Sequence, residues 1–555
     1  MFEKFIKIVR SPIESTSVKE VRKDLVVLII MDGLGIHPDP LGNAVLQART
    51  PFLDVAWSKG FSTLIHASGV HVGLPELENG NSEVGHLNIG SGQVVYQSLP
   101  RINDAIKNGT FHENPIIAEA IKKVKSGSGT GSRMHLMGVL SDGGVHGHIE
   151  HLFALLQICK DFEIDPVVHV FLDGRDTGLT TGYGYVEKLL KKFQDLGIGR
   201  IGSVSGRFYA MDRDKRWERT QMAYDAIRGT SKKVATDPLD AIKKAYADGE
   251  NDQIFTPLTI VDMEGNPLGA VQDGDVALFY NFREDRARQL TKAFVMEDFP
   301  NIEKEKELRD LMFVTMTGYE DGLPTKVVFP PKKIEESLAR AISNKGLKQL
   351  HISETEKYMH VTYFFNGGIE EPHAGEDFFN IPSPRVFDYS ETPEMSAGVI
   401  RDEVIYRINR NKDFDYSFII MNFANPDMLG HTGNLEQTIK ANEFIDECVR
   451  DVATATLKAD GCAIIIADHG NCETMINRED GTINTYHTNN PVPFILLSRM
   501  SQITHQPGDN IMKLGTGRDV PVSGLLADVA PTVLSVLGIE TPDSMTGLDL
   551  LGVMG

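Results

Sequence analysis

The sequence is poor in cysteine and contains no long apolar run. Its 555 residues include four cysteines, and no two of these have C-x-x-C spacing. So few cysteines in a long chain are typical of proteins with reduced thiols and no disulfide framework, so we expect a cytoplasmic protein. No apolar segment approaches the roughly 20 residues that span a bilayer, which argues against a membrane protein.

The N-terminal segment also lacks the features of a secretory signal. Lys4, Lys7 and Arg10 interrupt the apolar residues of "MFEKFIKIVRSPIESTSVKE", so a continuous apolar centre is missing. We therefore interpret residues 1–23 as an N-terminal extension that precedes the first domain.

Positive charge is scarce relative to negative charge. The sequence has 56 Lys and Arg residues against 77 Asp and Glu residues, which gives a net charge of −21. Such an acidic chain is a poor partner for nucleic acid, so we expect none to bind. Any site for an anionic ligand must therefore come from a local cluster of cations.

The sequence alternates short apolar runs with longer helix-like stretches, which predicts an α/β fold. Three runs are apolar on both faces, as buried parallel strands are: "DLVVLIIMDGLG" (24–35), "FIIMNFANPDMLGH" (418–431) and "CAIIIADHG" (462–470). Each delivers an acidic residue as the run stops: Asp32, Asp427 and Asp468. Ligands of open α/β sheets bind beyond the carboxyl ends of the strands, so the three acids should meet at one sheet edge.

The chain is longer than a single core favours, so two domains are expected. "SGQVVYQSLPRIN" (91–103) and "TKVVFPPKKIE" (325–335) have the character of crossings out of, and back into, a first domain. Further α/β units lie between these crossings. We therefore predict a discontinuous first domain, 24–97 with 331–555, and a second domain, 98–330, inserted into it.

Candidate metal ligands accumulate near the predicted strand ends. The candidates are Asp32, Asp427, His431, Asp468, His469 and His487. Carboxylate and imidazole ligands suit Mn²⁺, Zn²⁺ and related ions better than Ca²⁺. Six ligands are too many for one tetrahedral site and fit two ions that share a cleft. A single acid after a strand is most often a helix N-cap, but the set as a whole favours a metal site.

A serine in the glycine- and asparagine-rich segment "LENGNSEVGHLNIGSG" (77–92) is a candidate nucleophile. Ser82 precedes a helix-like stretch, and the start of a helix binds anions through its backbone N–H groups. A bound metal would also make its alkoxide accessible at neutral pH. The alternative is that Ser82 or Asn81 only caps the helix, and spacing alone favours that alternative. His86 and Asn88 are interpreted as structural.

Arginines in tight turns suggest a site for a small polyanion. They lie in "DGRDT", "SGRFYAMDRDKRW" and "NFREDRARQ", and comprise Arg175, Arg207, Arg213, Arg283 and Arg286. The planar guanidinium group binds carboxylate and phosphate through two parallel hydrogen bonds. His146, in the glycine-rich "SDGGVHGHIEH", could add a hydrogen bond to a phosphate oxygen. Each motif also contains Asp or Glu, so pairing with a local acid is the alternative for each arginine.

Taken together, these motifs resemble those of the cofactor-independent phosphoglycerate mutases of the alkaline-phosphatase superfamily. The similarity runs from about Leu25 to about Leu550 and follows the order of that family's motifs: "MDGLG", "NGNSEVGHLNIG", "SDGGVHGH", "LDGRDT", "GRFYAMDRDKRW", "NFREDRARQ", "ETEKYMHVT", "NPDMLGHTG", "ADHGNCE" and "YHTNNPVP". It implies an alkaline-phosphatase-like three-layer α/β domain with a mostly parallel sheet and an inserted α/β domain. It further implies interconversion of 3-phosphoglycerate and 2-phosphoglycerate through a phosphoserine, in glycolysis and gluconeogenesis, without bisphosphoglycerate.

The resemblance also implies roles for individual residues. Ser82 would be the nucleophile and Asp176 the proton carrier between the glycerate hydroxyls. One ion would be held by Asp427, His431 and His487, and the other by Asp32, Ser82, Asp468 and His469. Substrate would be held by His146, Arg175, Asp176, Arg207, Arg213, Arg283, Arg286 and Lys357. The expected cofactors are two divalent ions, Mn²⁺ first and Mg²⁺, Co²⁺ or Zn²⁺ as alternatives, in a monomer whose only partner is its small-molecule substrate.

Two other functions are compatible with parts of this pattern. A metal-dependent phosphatase, or a mutase acting on a sugar phosphate, could use the same scaffold, although a simple hydrolase would not need the arginine-rich insert. A non-catalytic sensor of metal and phosphate would need the metal ligands but no nucleophile, so the role of Ser82 distinguishes it from an enzyme.

Overall fold

The computed structural model describes residues 25–126, 131–297, 299–331, 333–498, 513–514 and 522–553. The predicted N-terminal extension, residues 1–23, lies outside the described residues. The chain divides into two compact units: unit 1 consists of residues up to Gln97 and from Lys333 onward, and unit 2 of Ser98–Lys332. Both units are mixed α/β structures, so the predicted fold class is confirmed.

The strands and helices are numbered here in chain order. The strands are β1 (Val26–Met31), β2 (Phe61–His66), β3 (Met134–Val139), β4 (Val167–Leu172), β5 (Arg200–Gly206), β6 (Val234–Ala235), β7 (Leu258–Ile260), β8 (Val276–Phe279), β9 (Met312–Thr317), β10 (Lys326–Phe329), β11 (Lys348–Glu354), β12 (Glu376–Ile381), β13 (Tyr416–Phe423), β14 (Cys462–Ile466), β15 (Val492–Leu497) and β16 (Val522–Leu525). The α-helices are α1 (Ala44–Gln47), α2 (Pro51–Lys59), α3 (Ser82–Ser91), α4 (Ser98–Lys107), α5 (Pro115–Ser126), α6 (Ile149–Asp161), α7 (Gly182–Leu196), α8 (Arg207–Ala210), α9 (Trp217–Arg228), α10 (Pro238–Ala247), α11 (Arg288–Val295), α12 (Leu338–Asn344), α13 (Ala397–Asn409), α14 (Asn411–Phe414), α15 (Asn425–Thr432), α16 (Leu435–Lys458), α17 (Val529–Val536) and α18 (Leu550–Val553).

The sheet of unit 1 has the strand order β12-β11-β13-β1-β14-β15-β2-β16. Its first five strands are parallel, and β15 is antiparallel to both neighbours. β1 lies at the centre, with Ile30 in register with Asn422 of β13 and Ile466 of β14. Every residue of these three strands is buried, so both faces of the sheet are covered. The long helix α16 packs on β1 and β14.

The sheet of unit 2 has the strand order β10-β9-β8-β3-β4-β5-β7-β6 and is parallel except between β5 and β7. Its central strands β3, β4 and β8 are also buried along their whole length, which explains their apolar sequences. In neither unit is any helix of the described residues long and apolar enough to cross a membrane.

The turn after β1 brings two strand ends unusually close together. Gly33 has a positive φ of 73°, a conformation that side chains with a Cβ disfavour. A Cβ added there would lie 2.7 Å from the Cα of Asp427. Glycine is therefore required for the ends of β1 and β13 to approach each other at the carboxyl edge of the sheet.

Unit 2 contains a buried chain of polar side chains that crosses four neighbouring strands. Nε2 of His135 lies 3.1 Å from Oδ2 of Asp275, Nδ1 of His135 lies 3.0 Å from Nε2 of His169, and Nδ1 of His169 lies 2.9 Å from the Ser203 hydroxyl. Burial lowers the pKa of both imidazoles, that of His169 well below its usual value of 6.5. Both rings are therefore neutral in the folded chain near neutral pH.

We expect this chain to make unit 2 sensitive to acid. The unfolded chain binds protons at its histidines below about pH 6.5, whereas buried His169 does not. The free energy of unfolding of unit 2 therefore has its full value above that pH. It falls as the pH drops, by up to about 1.4 kcal/mol per pH unit for each histidine. The measurement is unfolding of unit 2 by urea at several pH values from 7 to 5. The fluorescence of Trp217, in a chain that carries Trp57→Phe, monitors the unfolding.

The slope of stability against pH, rather than stability itself, is the informative quantity. His169→Gln should make the slope shallower, because it removes a buried group that takes up a proton only when unit 2 unfolds. Equal slopes for wild type and His169→Gln would contradict the interpretation.

Candidate active site

Three buried carboxylates meet at the carboxyl edge of the unit 1 sheet. Asp32 directly follows β1, Asp468 follows β14, and Asp427 lies in the first turn of α15, just after β13. The exposed fraction of each of these residues is 2% or less. Because β1 lies between β13 and β14, the order of the strands alone brings these acids together.

Asp427, His431 and His487 form the first cluster of candidate metal ligands. The Nε2 atoms of the two histidines lie 3.0 Å apart and 3.3 and 3.2 Å from Oδ1 of Asp427. The Nδ1 atoms lie 2.8 Å from the carbonyl oxygen of Thr485 and 2.9 Å from that of Gly80. Since a carbonyl only accepts hydrogen bonds, each Nδ1 carries the proton, and in the neutral rings both Nε2 lone pairs face the carboxylate.

Asp32, Asp468 and His469 form the second cluster. Their ligand atoms all lie within 4.8 Å of one another, and His469 also lies within that distance of the ligand atoms of Asp427 and His487. Its Nε2 is 3.4 Å from Oδ1 of Asp32 and 3.7 Å from Oδ2 of Asp468. His469 therefore borders both clusters.

Ser82 is the first residue of α3, and its side chain lies in the second cluster. The side chain of Asn81 caps the helix by accepting a hydrogen bond from the backbone N–H of Val84. The Ser82 hydroxyl is thereby free for other contacts: its Oγ lies 2.8 Å from Nε2 of His469 and 3.1 Å from Oδ1 of Asp32. Of the two possible caps, the structure assigns this role to Asn81.

Lys357 is the residue that joins the two clusters. Its Nζ donates to Oδ1 of Asp32 at 2.6 Å, to Oδ2 of Asp427 at 2.6 Å and to Oγ of Ser82 at 2.7 Å. The side chain is buried and follows β11, which pairs with β13. Residue patterns did not single out this lysine; the available signal was its position just beyond the carboxyl end of a buried strand.

The charges of these clusters shift each other's pKa values. Burial alone would raise the pKa of Asp32 and Asp427, but Lys357 and the neighbouring histidines hold both well below the usual range. Burial alone would lower the pKa of His469, but Asp468, Asp32 and Asp427 raise it to about 10. Asp32 and Asp427 are therefore ionised near neutral pH, and His469 is protonated.

The residues present fit divalent cations. Oδ1 of Asp468 accepts hydrogen bonds from the backbone N–H groups of Gly33 and His469, whereas its Oδ2 accepts none from the described residues although it is fully buried. Nδ1 of His86 lies 3.1 Å from this oxygen without a hydrogen bond to it, so a buried carboxylate oxygen remains that a cation could contact. Oδ2 of Asp468 and the two Nε2 lone pairs that face Asp427 are carboxylate and imidazole donors. Such donors suit borderline ions such as Mn²⁺ and Zn²⁺.

Neighbouring side chains that the sequence did not reveal orient the candidate ligands. His86, interpreted from sequence as structural, places Nδ1 2.9 Å from the carbonyl oxygen of Ser82 and 3.1 Å from Oδ2 of Asp468. Asn422 donates to Oδ2 of Asp32 at 2.8 Å, and Asn471 donates to Oδ1 of Asp427 at 2.8 Å. Hydrogen bonds of this kind fix the orientation of metal ligands.

The predicted arginine cluster lies at the carboxyl edge of the unit 2 sheet. Its members follow the ends of β4, β5 and β8, and His146 follows β3; the set is His146, Arg175, Asp176, Arg207, Arg213, Arg283 and Arg286. Arg207 is buried and contacts Asp173 and, at 2.6 Å, Asp176. Arg286 donates to the carbonyl oxygen of Met211 at 3.1 Å. The alternative of pairing with acids therefore holds for Arg207, Arg213 and Arg283, the last two through Asp285. The side chain of Arg175 is exposed.

Comparison with known proteins identifies the family. The family described as "BPG-independent PGAM N-terminus" matches residues 102–321. The 2,3-bisphosphoglycerate-independent phosphoglycerate mutase of Clostridium beijerinckii is 46% identical over 531 residues, which cover 95% of this chain and 99% of that protein. The chain belongs to this family of phosphoglycerate mutases. The predicted resemblance is thereby confirmed.

Other members of the mutase family are similarly close. The enzymes of that name from Methanococcoides burtonii and Synechococcus are 44% and 46% identical, and the alignments cover 95% of this chain and 98% and 95% of theirs. A phosphoglycerate mutase structure from Leishmania mexicana, determined at low cobalt concentration, is 30% identical with a TM-score of 0.53 and covers 96% of this chain and 98% of that one. The similarity to the mutases thus extends through both units.

We expect metal binding by this mutase to depend on Asp427. A ligand that binds only the folded chain stabilises it by about 2.7 kcal/mol at 100 times its Kd. Mn²⁺ added to chelator-treated full-length chain should therefore raise the unfolding midpoint of unit 1. The fluorescence of buried Trp57 in a Trp217→Phe background reports this midpoint. Asp427→Asn should reduce the shift, because it removes the charge that faces both histidines of the first cluster.

Asp413→Asn provides the matched control, because Asp413 is an exposed aspartate of the same unit. This variant should keep the full Mn²⁺ shift. An undiminished shift in Asp427→Asn would show that the first cluster does not hold the metal.

Proposed function

We propose that the chain interconverts 3-phosphoglycerate and 2-phosphoglycerate by metal-assisted phosphoryl transfer through a phosphoserine on Ser82, without bisphosphoglycerate. The observation that carries this proposal is the environment of the Ser82 hydroxyl. Its Oγ lies within 3.1 Å of Lys357 Nζ, His469 Nε2 and Asp32 Oδ1 at the start of a helix. A nucleophile needs this combination of an adjacent base and a nearby cation.

Each neighbour of Ser82 has a separate part in its activation. The ammonium group of Lys357, 2.7 Å away, stabilises negative charge on Oγ. The Ser82 hydroxyl donates a hydrogen bond to Oδ1 of Asp32 at 3.1 Å, and this carboxylate is the proposed acceptor of its proton. His469, 2.8 Å away and with a raised pKa, adds positive charge beside Oγ. Backbone N–H groups in the first turn of α3 favour the oxygens of an incoming phosphoryl group.

We propose two divalent ions, with Mn²⁺ as the first choice and Mg²⁺, Co²⁺ or Zn²⁺ as alternatives. Asp427, His431 and His487 would hold one ion, and Asp32, Ser82, Asp468 and His469 the other. When bound, the ions neutralise the phosphoryl oxygens and lower the pKa of the Ser82 hydroxyl. Unit 1 then serves as the metal-binding domain, and unit 2 as the inserted substrate-binding domain.

The transfer can be written as two balanced half-reactions. In the first, Oγ of Ser82 forms a bond to phosphorus and loses its proton, while the bond between phosphorus and the C3 oxygen breaks and that oxygen takes up a proton. In the second, Asp176 accepts the proton of the 2-hydroxyl as that oxygen attacks phosphorus. The Ser82 oxygen then leaves and is reprotonated. Arg207, 2.6 Å from Asp176, holds this carboxylate in place.

Between the half-reactions the glycerate must stay bound. The arginines of unit 2, together with His146 and Lys357, are the proposed substrate-binding set. A phosphatase would need no group that retains the dephosphorylated product. The arginine cluster therefore favours a mutase over the rival phosphatase.

The setting of the protein is also part of the proposal. All four cysteines are buried and free of disulfide bonds, which supports a reducing, cytoplasmic location. The excess of 77 acidic over 56 basic residues argues against nucleic-acid partners. We propose a monomer whose partner is its phosphoglycerate substrate.

Phosphorus NMR with 3-phosphoglycerate as substrate, added metal and no bisphosphoglycerate tests the function directly. The wild-type chain should form 2-phosphoglycerate, and chelation should abolish this activity. Ser82→Ala should lower the rate by roughly 10³-fold or more because no other group can carry the phosphoryl group.

Ser91→Ala is the matched control. It removes a hydroxyl at the last residue of the same helix that bonds only to the carbonyl oxygen of Gln93 at 3.2 Å, so it should retain activity. A Ser82→Ala variant with the wild-type rate would rule out the phosphoserine. Release of free phosphate alone from the wild-type chain would instead favour the phosphatase.

A further inference from the structure

One carboxylate in unit 2 contacts three of the proposed substrate-binding residues. Oδ2 of Asp285 accepts from Nη1 of Arg213 at 2.7 Å, and Oδ1 lies 3.2 Å from Nε of Arg283. Nδ1 of His146 lies 3.6 Å from the same Oδ1. Neither the candidate nucleophile nor the metal clusters involve Asp285, and residue patterns did not single it out.

These contacts join three separate loops. Arg213 lies between α8 and α9, Arg283 and Asp285 follow β8, and His146 lies in the loop between β3 and α6. A backbone hydrogen bond of 2.8 Å from Phe282 N to the carbonyl oxygen of His146 ties the last two loops together. A single carboxylate therefore fixes how the cations of three loops are arranged relative to one another.

The arrangement leaves most of the guanidinium donors available. A guanidinium group has five N–H donors, and the contact to Asp285 occupies one nitrogen of each arginine. The side chains of Arg213 and Arg283 are 46% and 48% exposed, whereas that of Asp285 is 24% exposed. The remaining donors are therefore left for a ligand while Asp285 contacts one nitrogen of each side chain.

We infer that Asp285 is a positioning residue that preorganises Arg213, Arg283 and His146 to bind the anionic substrate. This inference rests on the proposed mutase function and adds to it a residue that need not touch the substrate. Its carboxylate also offsets repulsion among cations assembled at close quarters. That repulsion is evident at Arg286, whose pKa is lowered first by burial and then by Arg207 and Arg213.

Two opposing effects decide the result of removing this charge. Neutralising Asp285 makes the cluster more positive, which by itself would favour anions. However, both arginines are about half exposed, so solvent and salt weaken that gain. The loss of order in two long side chains, which must be restored when a ligand binds, outweighs it. The net effect should be weaker substrate binding.

The experiment compares steady-state kinetics of the metal-loaded full-length chain with those of Asp285→Asn, Asp285→Glu and Asp214→Asn. Asp285→Asn keeps the shape and removes the charge, so KM for 3-phosphoglycerate should rise roughly tenfold while kcat changes by less than about threefold. Asp285→Glu restores the charge and should recover part of the loss. Asp214, an exposed acid that pairs only with Arg216 at 3.5 Å, is the matched control and should leave KM unchanged.

The outcomes separate this inference from the function on which it rests. A wild-type chain without mutase activity would refute the proposed function. An active wild type with an unchanged or lower KM in Asp285→Asn would refute the positioning role alone, and so would equal defects in Asp285→Glu and Asp285→Asn. The urea midpoint of Trp217 fluorescence, unchanged in Asp285→Asn, would show that the rise in KM does not come from unfolding of unit 2.

Discussion

The mutual repulsion of Asp32, Asp427 and Asp468 is the constraint on which the rest of unit 1 depends. Carboxylates buried together at one sheet edge are unstable unless positive charge lies among them. The ammonium group of Lys357 bonds to two of them, and His469 is raised to a pKa of about 10 by all three. The same carboxylates that make the edge costly for folding are groups that could hold divalent cations.

Unit 2 shows the opposite distribution of charge on a similar sheet. Its carboxyl edge gathers arginines, and the acids Asp173, Asp176 and Asp285 offset their repulsion through ion pairs. In both units, a few residues of one charge hold the more numerous residues of the opposite charge in place. Lys357 contacts the acids of unit 1, and three acids contact the arginines of unit 2. A sequence that is acidic overall thus forms one site rich in carboxylates and one site rich in arginines.

Much of this could be predicted because it depends on local patterns. Runs that are apolar on both faces predicted the buried parallel strands, and the rule that polar residues follow such strands predicted where Asp32, Asp427 and Asp468 lie. Lys357, His86 and Asp285 could not be predicted in this way. Each acts through partners far away in the sequence, such as Lys357 with Asp32, and spacing along the chain carries no information about such contacts.

The role of Ser82 shows how a local feature and a distant one combine. Because Asn81 accepts the hydrogen bond from Val84, helix α3 is capped without using the Ser82 hydroxyl. Gly85, one turn later, has no side chain, and a Cβ there would lie 2.7 Å from the carbonyl oxygen of Asp468. The cap therefore frees the hydroxyl, and the glycine lets the helix approach the strand end that carries Asp468 and His469. Capping, which competes with the proposed catalytic role for Ser82 when the sequence is read alone, is thus provided by the neighbouring Asn81.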